Sequence, residues 1–120
     1  MHMNFYGLEI SKELTELSKR LWPHLKNNFF NGNALAWRPD RKFDYVYTMI
    51  IPDLPHNLRA DFMSILMRRY VKESGRLILG EFKTYELEKE IHEMGYIVSG
   101  YCEKRMSENR IRKMIWIDNG

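Results

Sequence analysis

The sequence predicts an α/β fold with a mostly parallel sheet and an antiparallel pair of strands at its C-terminal edge. Short β-rich runs alternate with segments of helical apolar spacing in the order strand, helix, strand, strand, helix, strand, helix, strand, strand. Such alternation is typical of a parallel sheet covered by helices. The last two strands are joined by residues 103–112, which are too polar for a packed crossover helix, so we expect these strands to pair antiparallel.

The first unit of this pattern is a short strand followed by a capped helix. The apolar run Phe5–Ile10 predicts the strand, and Ser11 is the expected N-cap. The helix ends before Pro23, and its apolar positions predict a buried stripe formed by Leu14, Leu17 and Leu21. Phe29 and Phe30 predict a second strand, followed by a loop in which Gly32 can adopt a positive φ.

The middle of the chain predicts a central strand, a helix and a further strand. The run Phe43–Ile51 is rich in β-formers and is stopped by prolines at positions 52 and 55. Apolar residues then recur at helical spacing over His56–Val71, and this helix should end before Gly75. Residues 76–80 form the next predicted strand.

The C-terminal third predicts one more helix and the two edge strands. Thr84 is the expected cap of a helix that runs to Met94 and is terminated by Gly95. Its predicted buried stripe comprises Leu87, Ile91 and Met94. Residues 96–99 and 113–118 are the predicted strands, with the charged connection between them.

Composition restricts the class of protein. A length of 120 residues predicts one domain, and a chain that is 44% hydrophobic and 29% charged, without an apolar run of about 20 residues, is not expected to enter a membrane. We expect a cytoplasmic protein, because there is no signal-peptide pattern and the single cysteine, Cys102, cannot form an internal disulfide. No metal site is expected.

The net charge of +3 is weak evidence for a nucleic-acid partner. The longest basic cluster comprises Lys104, Arg105, Arg110, Arg112 and Lys113. Glu103 and Glu108 interrupt it and no interleaved aromatic residues accompany it, so the cluster predicts a solvated edge hairpin. We therefore expect no nucleic-acid partner.

Five segments carry a resemblance to a known family. They are Tyr6-Gly-Leu-Glu-Ile-Ser, Asn31-Gly-Asn-Ala-Leu, Lys42-Phe-Asp-Tyr-Val-Tyr, Gly75-Arg-Leu-Ile-Leu-Gly and Met94-Gly-Tyr. In this order and spacing they resemble the class I S-adenosylmethionine-dependent methyltransferases, in particular small-molecule enzymes with a bare seven-stranded domain. They correspond to the second strand, the adenine loop, the fourth strand, the fifth strand and the turn before the antiparallel edge pair.

The resemblance implies a truncated domain. The family's first strand, glycine-rich loop and following helix would precede Phe5, where the sequence has four residues. That first strand is the centre of the family's sheet, between the strands that correspond to Phe5–Ile10 and Phe43–Ile51. Residues 1–120 are accordingly expected to form a single truncated methyltransferase-like domain. Either these two strands pair directly or a second copy of the chain completes the sheet, and we expect a homo-oligomer.

The resemblance also implies a set of cofactor-binding residues. Glu9 corresponds to the acid that binds the ribose hydroxyls of S-adenosylmethionine, and Ile10 to the apolar residue beside the adenine. Asn33 and Ala34 lie in the adenine loop, where the family usually has aspartate in place of Asn33. Tyr47 lies where the fourth strand opens into the active site. Alternatively, Glu9 is an ordinary acid near a helix N-terminus, and Ile10 and Tyr47 are packing residues.

The catalytic residues are not assigned. In this family the protein mainly aligns the reactants for an in-line displacement and sometimes supplies a base. Asp53 could position a substrate and His56 could be a base, although a turn residue and a helix start are the stronger interpretations. Trp37 is the tryptophan expected to line a pocket.

Two functions follow from these expectations. The first is an S-adenosylmethionine-dependent methyltransferase of unknown acceptor, or a truncated fragment of one, for which a small-molecule substrate is possible and which is active if the missing N-terminal segment is supplied. The second is a non-catalytic, oligomeric interaction module on a degenerate methyltransferase scaffold. Neither reaction nor acceptor is specified more narrowly by these motifs.

Overall fold

The computed structural model describes residues 3–81 and 87–120. It divides into two compact units, Met1–Arg38 and Pro39–Gly120, which are described separately below. Whether the two make the single domain expected from the sequence stays a prediction. Within the described part of the chain, no helix is both long and apolar enough to cross a membrane.

Unit 1 consists of two parallel strands and a helix. It contains β1 (Gly7–Glu9), α1 (Lys12–Leu21), a 3₁₀ helix (Pro23–Asn28) and β2 (Phe29–Asn31). Strands β1 and β2 pair in parallel with Glu9 opposite Asn31. The predicted cap is confirmed, because the Ser11 hydroxyl accepts a hydrogen bond from the Leu14 amide at 3.2 Å.

The predicted burial of the α1 leucines is wrong. Leu14, Leu17 and Leu21 are 51%, 40% and 59% exposed, and Thr15 is instead the buried residue of the helix. The Thr15 hydroxyl donates to the Ser11 carbonyl at 2.8 Å. Helical spacing identified one apolar face, but it does not specify which element covers that face, and no described side chain of unit 1 other than Thr15 is buried.

Unit 2 is a four-stranded sheet with helices. Its elements are β3 (Phe43–Thr48), a 3₁₀ helix (Ile51–Asp53), α2 (His56–Ile65), a π-helical turn (Leu66–Tyr70), β4 (Val71–Glu81), α3 (Leu87–Glu93), β5 (Gly100–Ser107) and β6 (Arg110–Asp118). The strand order is β3-β4-β6-β5. The β3–β4 pair is parallel and β6 runs antiparallel to both neighbours, so three strands share one direction. The mostly parallel sheet with an antiparallel edge pair is confirmed.

The hydrophobic core of unit 2 lies between this sheet and its helices. Strands β4 and β6 contribute Leu77, Leu79, Ile115 and Ile117, each at most 3% exposed. Among the described residues, the buried apolar residues of the helices and turns are Ile51, Phe62, Met63, Leu66, Tyr70, Leu87 and Ile91. The alternation of buried and half-buried residues along β4 follows from the two-residue period of a strand.

Several boundaries differ from the prediction. Strand β3 ends at Thr48, and the second helical segment ends at Tyr70. Residues 72–75 form a bulge in β4, in which Ser74 has φ +66° whereas Gly75 is not left-handed. A left-handed serine was not expected, because glycine has no Cβ penalty in this region.

The edge pair is also longer and placed differently than predicted. Residues 96–99 form no strand, and residues 103–112, expected to be a connection, are part of the β5–β6 hairpin. Polar composition misled this prediction because both faces of an edge hairpin can be solvated. Gly95 ends α3 as predicted, with φ +96°, while the expected cap Thr84 lies outside the described residues.

Candidate functional site

The carboxyl ends of β1 and β2 lie at one edge of their parallel pair and are tied together. The Asn31 side-chain amide donates to the carbonyl oxygens of Glu9 and Ile10 at 2.9 and 3.0 Å. The Gly32 amide donates to the Glu9 carbonyl at 3.0 Å. Open α/β sheets place ligands outside this edge of their strands. The structure therefore holds the predicted acid and the start of the predicted adenine loop together.

The Glu9 carboxylate is half-buried and oriented by the start of α1. Its Oε1 accepts a hydrogen bond from the Ser11 amide at 3.1 Å. Within the described residues, Oε2 has no hydrogen-bond partner. A carboxylate held through one oxygen can still accept hydrogen bonds from a pair of vicinal hydroxyls through the other. The geometry is compatible with ribose binding as well as with a role at the helix N-terminus.

Ile10 follows Glu9 and is 70% exposed, so the interpretation of Ile10 as a core residue is wrong. Its backbone is fixed by the hydrogen bond from Asn31. An exposed apolar side chain beside a strand-end acid can contact a flat apolar group such as a purine ring. The position that the family resemblance gives to Ile10 is thus sterically open.

The adenine-loop segment forms a tight turn centred on Asn33. Its Oδ1 accepts the Leu35 amide at 3.0 Å, and its carbonyl accepts the amides of Ala36 and Trp37 at 2.9 and 2.7 Å. Ala34 is half-buried in this turn. Because the turn uses Asn33 only as an acceptor through its side chain, aspartate could make the same contact.

Gly32 lies where a side chain has little space, and its φ is not positive. It is absent from the left-handed residues, so that expectation is wrong. A Cβ atom at this position would lie 3.1 Å from Trp37 Cδ1 and 3.3 Å from Leu8 Cδ1. Trp37 itself packs on Phe30 with ring centroids 5.2 Å apart. Trp37, which was expected to line a pocket, therefore packs against Gly32 and Phe30.

Tyr47 belongs to unit 2, whereas the other predicted cofactor residues belong to unit 1. It is 48% exposed, so Tyr47 is not a core residue, but its contact with Gly80 agrees with the alternative of a residue that packs on the neighbouring strand. Gly80 leaves room for it, because a Cβ there would lie 2.9 Å from the Tyr47 hydroxyl and 3.1 Å from Met49 Cγ.

The two catalytic candidates occupy the segment after β3. Asp53 is exposed at the end of a 3₁₀ turn. His56 is the first residue of α2, and its Nδ1 lies 3.5 Å from Glu90 Oε1 while its Nε2 lies 3.4 Å from Arg59 Nη1. His56 thus has orienting partners that were not identified from the sequence. No group of three His, Cys, Asp or Glu side chains in the described residues could hold a metal ion.

Sequence reasoning missed the residue that fixes this segment, Arg59. Its side chain is buried, donates to the carbonyls of Leu54 and Pro52 at 2.9 and 3.0 Å, and forms an ion pair with Glu90 at 2.9 Å. The sequence does contain an indication of this role. Arg59 lies three and four positions before the buried Phe62 and Met63, so its charge lies on the apolar face of α2. Such a charge is stable only when paired.

The chain was compared with protein-family models, with curated proteins and with solved structures, and only the solved structures match it. A scan of protein-family models and a search of curated proteins find no match. Among solved structures, magnesium protoporphyrin IX methyltransferase (ChlM) from Synechocystis PCC 6803 with bound SAM matches 96% of this chain with 16% identity and a TM-score of 0.68. A SAM-dependent methyltransferase of Leishmania major matches 92% with 13% identity and a TM-score of 0.73. The N-methyltransferase NodS from Bradyrhizobium japonicum WM9, in complex with SAH, matches 93% with 11% identity and a TM-score of 0.67.

The chain has the class I methyltransferase fold. Its matches cover 59%, 53% and 64% of these three proteins, so the chain spans less than two thirds of their length. The sequence resemblance compares β1 and β2 with the second and third strands of the family. Unit 2 supplies the strands identified as fourth and fifth and the antiparallel edge pair.

Proposed function

We propose that this chain provides the adenosine side of the cofactor site of a S-adenosylmethionine-dependent methyltransferase. Glu9 binds the ribose hydroxyls, Ile10 contacts the adenine, and the turn at Asn33 and Ala34 holds the adenine edge. Tyr47, which lies in unit 2, is the further residue that the family resemblance assigns to the cofactor.

The orientation of Glu9 is the observation that supports this proposal most directly. One carboxylate oxygen accepts the Ser11 amide and the other has no partner in the described residues. The residues present therefore fit a ligand with vicinal hydroxyls and an apolar ring. The methyl-transferase neighbours bound to SAM or SAH have the same fold, which agrees with this ligand.

Each residue has a limited task in this function. When bound, S-adenosylmethionine supplies an electrophilic methyl group on a sulfonium. Glu9 and the Asn33 turn bind and orient the adenosine, since methyl transfer depends mainly on alignment. His56, in the segment that follows β3, contacts Glu90 and Arg59 and is the candidate proton acceptor of unit 2.

The test is calorimetry with S-adenosylhomocysteine, using Glu9→Gln as the variant. Glutamine keeps an oxygen for the Ser11 amide but loses the charge, so affinity should fall by about tenfold to a hundredfold. Glu13→Gln is the matched control, because Glu13 is an exposed acid in the first turn of α1. Its effect should stay below about twofold.

The absence of detectable heat for the unmutated chain at millimolar ligand would overturn the proposal. If the same chain were oligomeric, the interaction module on a methyltransferase scaffold would become the better explanation. Equal losses in Glu9→Gln and Glu13→Gln would also contradict the assignment of Glu9, since they would indicate a general charge effect.

A further inference from the structure

Asn31 and Gly32 form a sequence pair that is chemically reactive. The backbone nitrogen of a glycine can attack the side-chain carbonyl carbon of a preceding asparagine, because glycine has no Cβ atom to obstruct the approach. The pair occurs twice in the sequence, at Asn31-Gly32 and at Asn119-Gly120. The two asparagines can therefore be compared within one chain.

Both reactive groups of the first pair are held by the same acceptor, the carbonyl oxygen of Glu9. The Asn31 side-chain amide donates to this oxygen at 2.9 Å, and the Gly32 backbone amide donates to it at 3.0 Å. A further hydrogen bond joins the Asn31 amide to the Ile10 carbonyl at 3.0 Å. While these bonds last, neither group is available to the other. Withdrawal of the end of β1 would free both groups at once.

Little burial opposes that withdrawal. Strands β1 and β2 are three residues long, and Thr15 is the one buried residue among the described residues of unit 1, 3–38. Asn31 itself is exposed and Gly32 is half-buried. Segments with few buried contacts open locally at a small cost in free energy. We therefore expect the carboxyl ends of β1 and β2 to separate more often than strands that border a buried core.

The second asparagine is anchored to buried structure. The Asn119 side-chain amide lies 3.2 Å from each of the carbonyl oxygens of Met67, Val71 and Lys72. Its backbone amide donates to the Gly75 carbonyl at 2.9 Å. Val71 is fully buried, so release of Asn119 requires the junction between the π-helical turn and β4 to open. That opening costs more free energy than separation of the short strands of unit 1.

We infer that Asn31 is a site of spontaneous deamidation, which proceeds when the carboxyl ends of β1 and β2 separate. The Gly32 nitrogen gives up its proton to solvent and bonds to Asn31 Cγ. The Cγ–Nδ2 bond breaks, and Nδ2 takes up a proton and leaves as ammonia. Water then opens the resulting succinimide to aspartate or isoaspartate, so the reaction needs no oxidant or reductant. The new carboxylate cannot donate to Glu9 or Ile10, and the link between the strand ends is lost.

Peptide mass spectrometry of the full chain tests this inference, with the folded chain at mildly alkaline pH compared with the chain in concentrated urea. The deamidation rate at each asparagine is divided by its rate in urea, which removes the effect of the neighbouring sequence. The normalised rate at Asn31 should exceed that at Asn119 by about tenfold or more, because the opening that releases Asn31 costs less free energy. After the same normalisation, the Gly32 amide hydrogen should exchange with solvent faster than the Asn119 amide hydrogen.

Gly32→Ala and Gly120→Ala are matched variants for the chemical step. In urea, Gly32→Ala should slow deamidation at Asn31 by about fivefold or more, because the added Cβ atom hinders the attack. Gly120→Ala should leave the rate at Asn31 within about twofold, because the two positions are independent in the unfolded chain. In the folded chain a Cβ atom at Gly32 would lie 3.1 Å from Trp37 Cδ1, and the measurement in urea removes any effect of this crowding.

Three results would overturn the inference. The first is a normalised deamidation rate at Asn31 that is no greater than the rate at Asn119. The second is a rate at Asn31 in urea that Gly32→Ala does not change. The third is a Gly32 amide hydrogen that exchanges no faster than the Asn119 amide hydrogen. None of these measurements uses S-adenosylhomocysteine, so they are read independently of the proposed cofactor site.

Discussion

The side-chain amide of Asn31 holds the carbonyl oxygen of Glu9 at 2.9 Å. The same amide reaches Ile10, so one NH₂ group satisfies two carbonyls at the end of β1. A residue that the sequence placed only in a loop is therefore the link between the two strand ends. This link positions the acid without using the carboxylate itself.

Asn31→Asp should destabilise the fold and weaken S-adenosylhomocysteine binding. The carboxylate cannot donate and would face two carbonyl oxygens, so we expect a loss of about 1–2 kcal/mol in the free energy of unfolding. Asn33→Asp is the matched control, because Asn33 Oδ1 is an acceptor in its turn and aspartate preserves that contact. Urea denaturation and calorimetry measure both effects. Equal losses in the two variants would contradict this role of Asn31.

Arg59→Leu should be among the most damaging substitutions in unit 2. It leaves the largely buried Glu90 carboxylate without its ion-pair partner and removes the donors to Pro52 and Leu54. We expect a loss of about 3–5 kcal/mol in the free energy of unfolding by denaturant. Asp44→Asn breaks the exposed pair with Lys72 and should cost less than about 1 kcal/mol. Similar costs would refute the buried-pair interpretation.

Asp118 should titrate below the ordinary aspartate pKa of 3.8. Hydrogen bonds from Arg76, at 2.7 and 3.3 Å, and the charge of its guanidinium lower the pKa of Asp118. The folded state therefore favours the carboxylate. Its contribution to stability is fully present above the unfolded pKa and is lost as pH falls through the lower folded value.

NMR titration of Asp118 checks this expectation. In Arg76→Gln the midpoint should move up towards 3.8. Asp40 supplies an internal reference, because Arg41, and not Arg76, lowers the pKa of that carboxyl. A midpoint for Asp118 that does not change in Arg76→Gln would show that the pair does not control the titration.

Ser74→Gly should stabilise the chain by up to about 1 kcal/mol, and Ser74→Val should destabilise it by about 1–2 kcal/mol. Ser74 has φ +66°, which glycine adopts without a Cβ penalty and a β-branched residue tolerates poorly. Both variants keep the amide that donates to the Asn119 carbonyl at 2.6 Å. Thermal unfolding compares them, and the opposite order of stability would contradict the assigned backbone conformation.

We propose that a second copy of the chain covers the leucine face of α1. Leu14, Leu17 and Leu21 are exposed, and β1 and β3 are each paired along one edge only within the described residues. Light scattering should give twice the 14.5 kDa mass of one chain. Leu17→Lys should lower that mass, whereas Glu16→Lys, on an exposed neighbouring position, should not. A measured mass equal to that of one chain for the unmutated protein would contradict this proposal.

The order of elements was predictable because it depends on local patterns. Ser11 and Gly95 act through contacts within a few residues, so the start of α1 and the end of α3 were placed correctly. Position 9 was identified as a strand-end acid for the same reason. The family resemblance depends on five such local segments and on their order and spacing.

The features that were not predicted, or were predicted wrongly, depend on contacts between residues that are distant in sequence. Burial of the α1 leucines depends on whether another element packs on them, and no described element does so. The hairpin over 100–118 depends on strand pairing that its polar composition does not indicate. Arg59 pairs with Glu90, 31 positions later, and no local pattern specifies that contact. Asn31 lies opposite Glu9 only once the register of β1 and β2 is known.

The insertion of β6 between β4 and β5 constrains the order in which unit 2 can be completed during synthesis. A ribosome-bound chain that has exposed residues only as far as 109 can pair β4 with β3, but the other edge of β4 still lacks its neighbour. The buried Ile115 and Ile117 also arrive with β6. We therefore expect unit 2 to remain sensitive to protease on the ribosome until residue 118 has left the exit tunnel, and a protease-resistant nascent chain ending at residue 109 would contradict this.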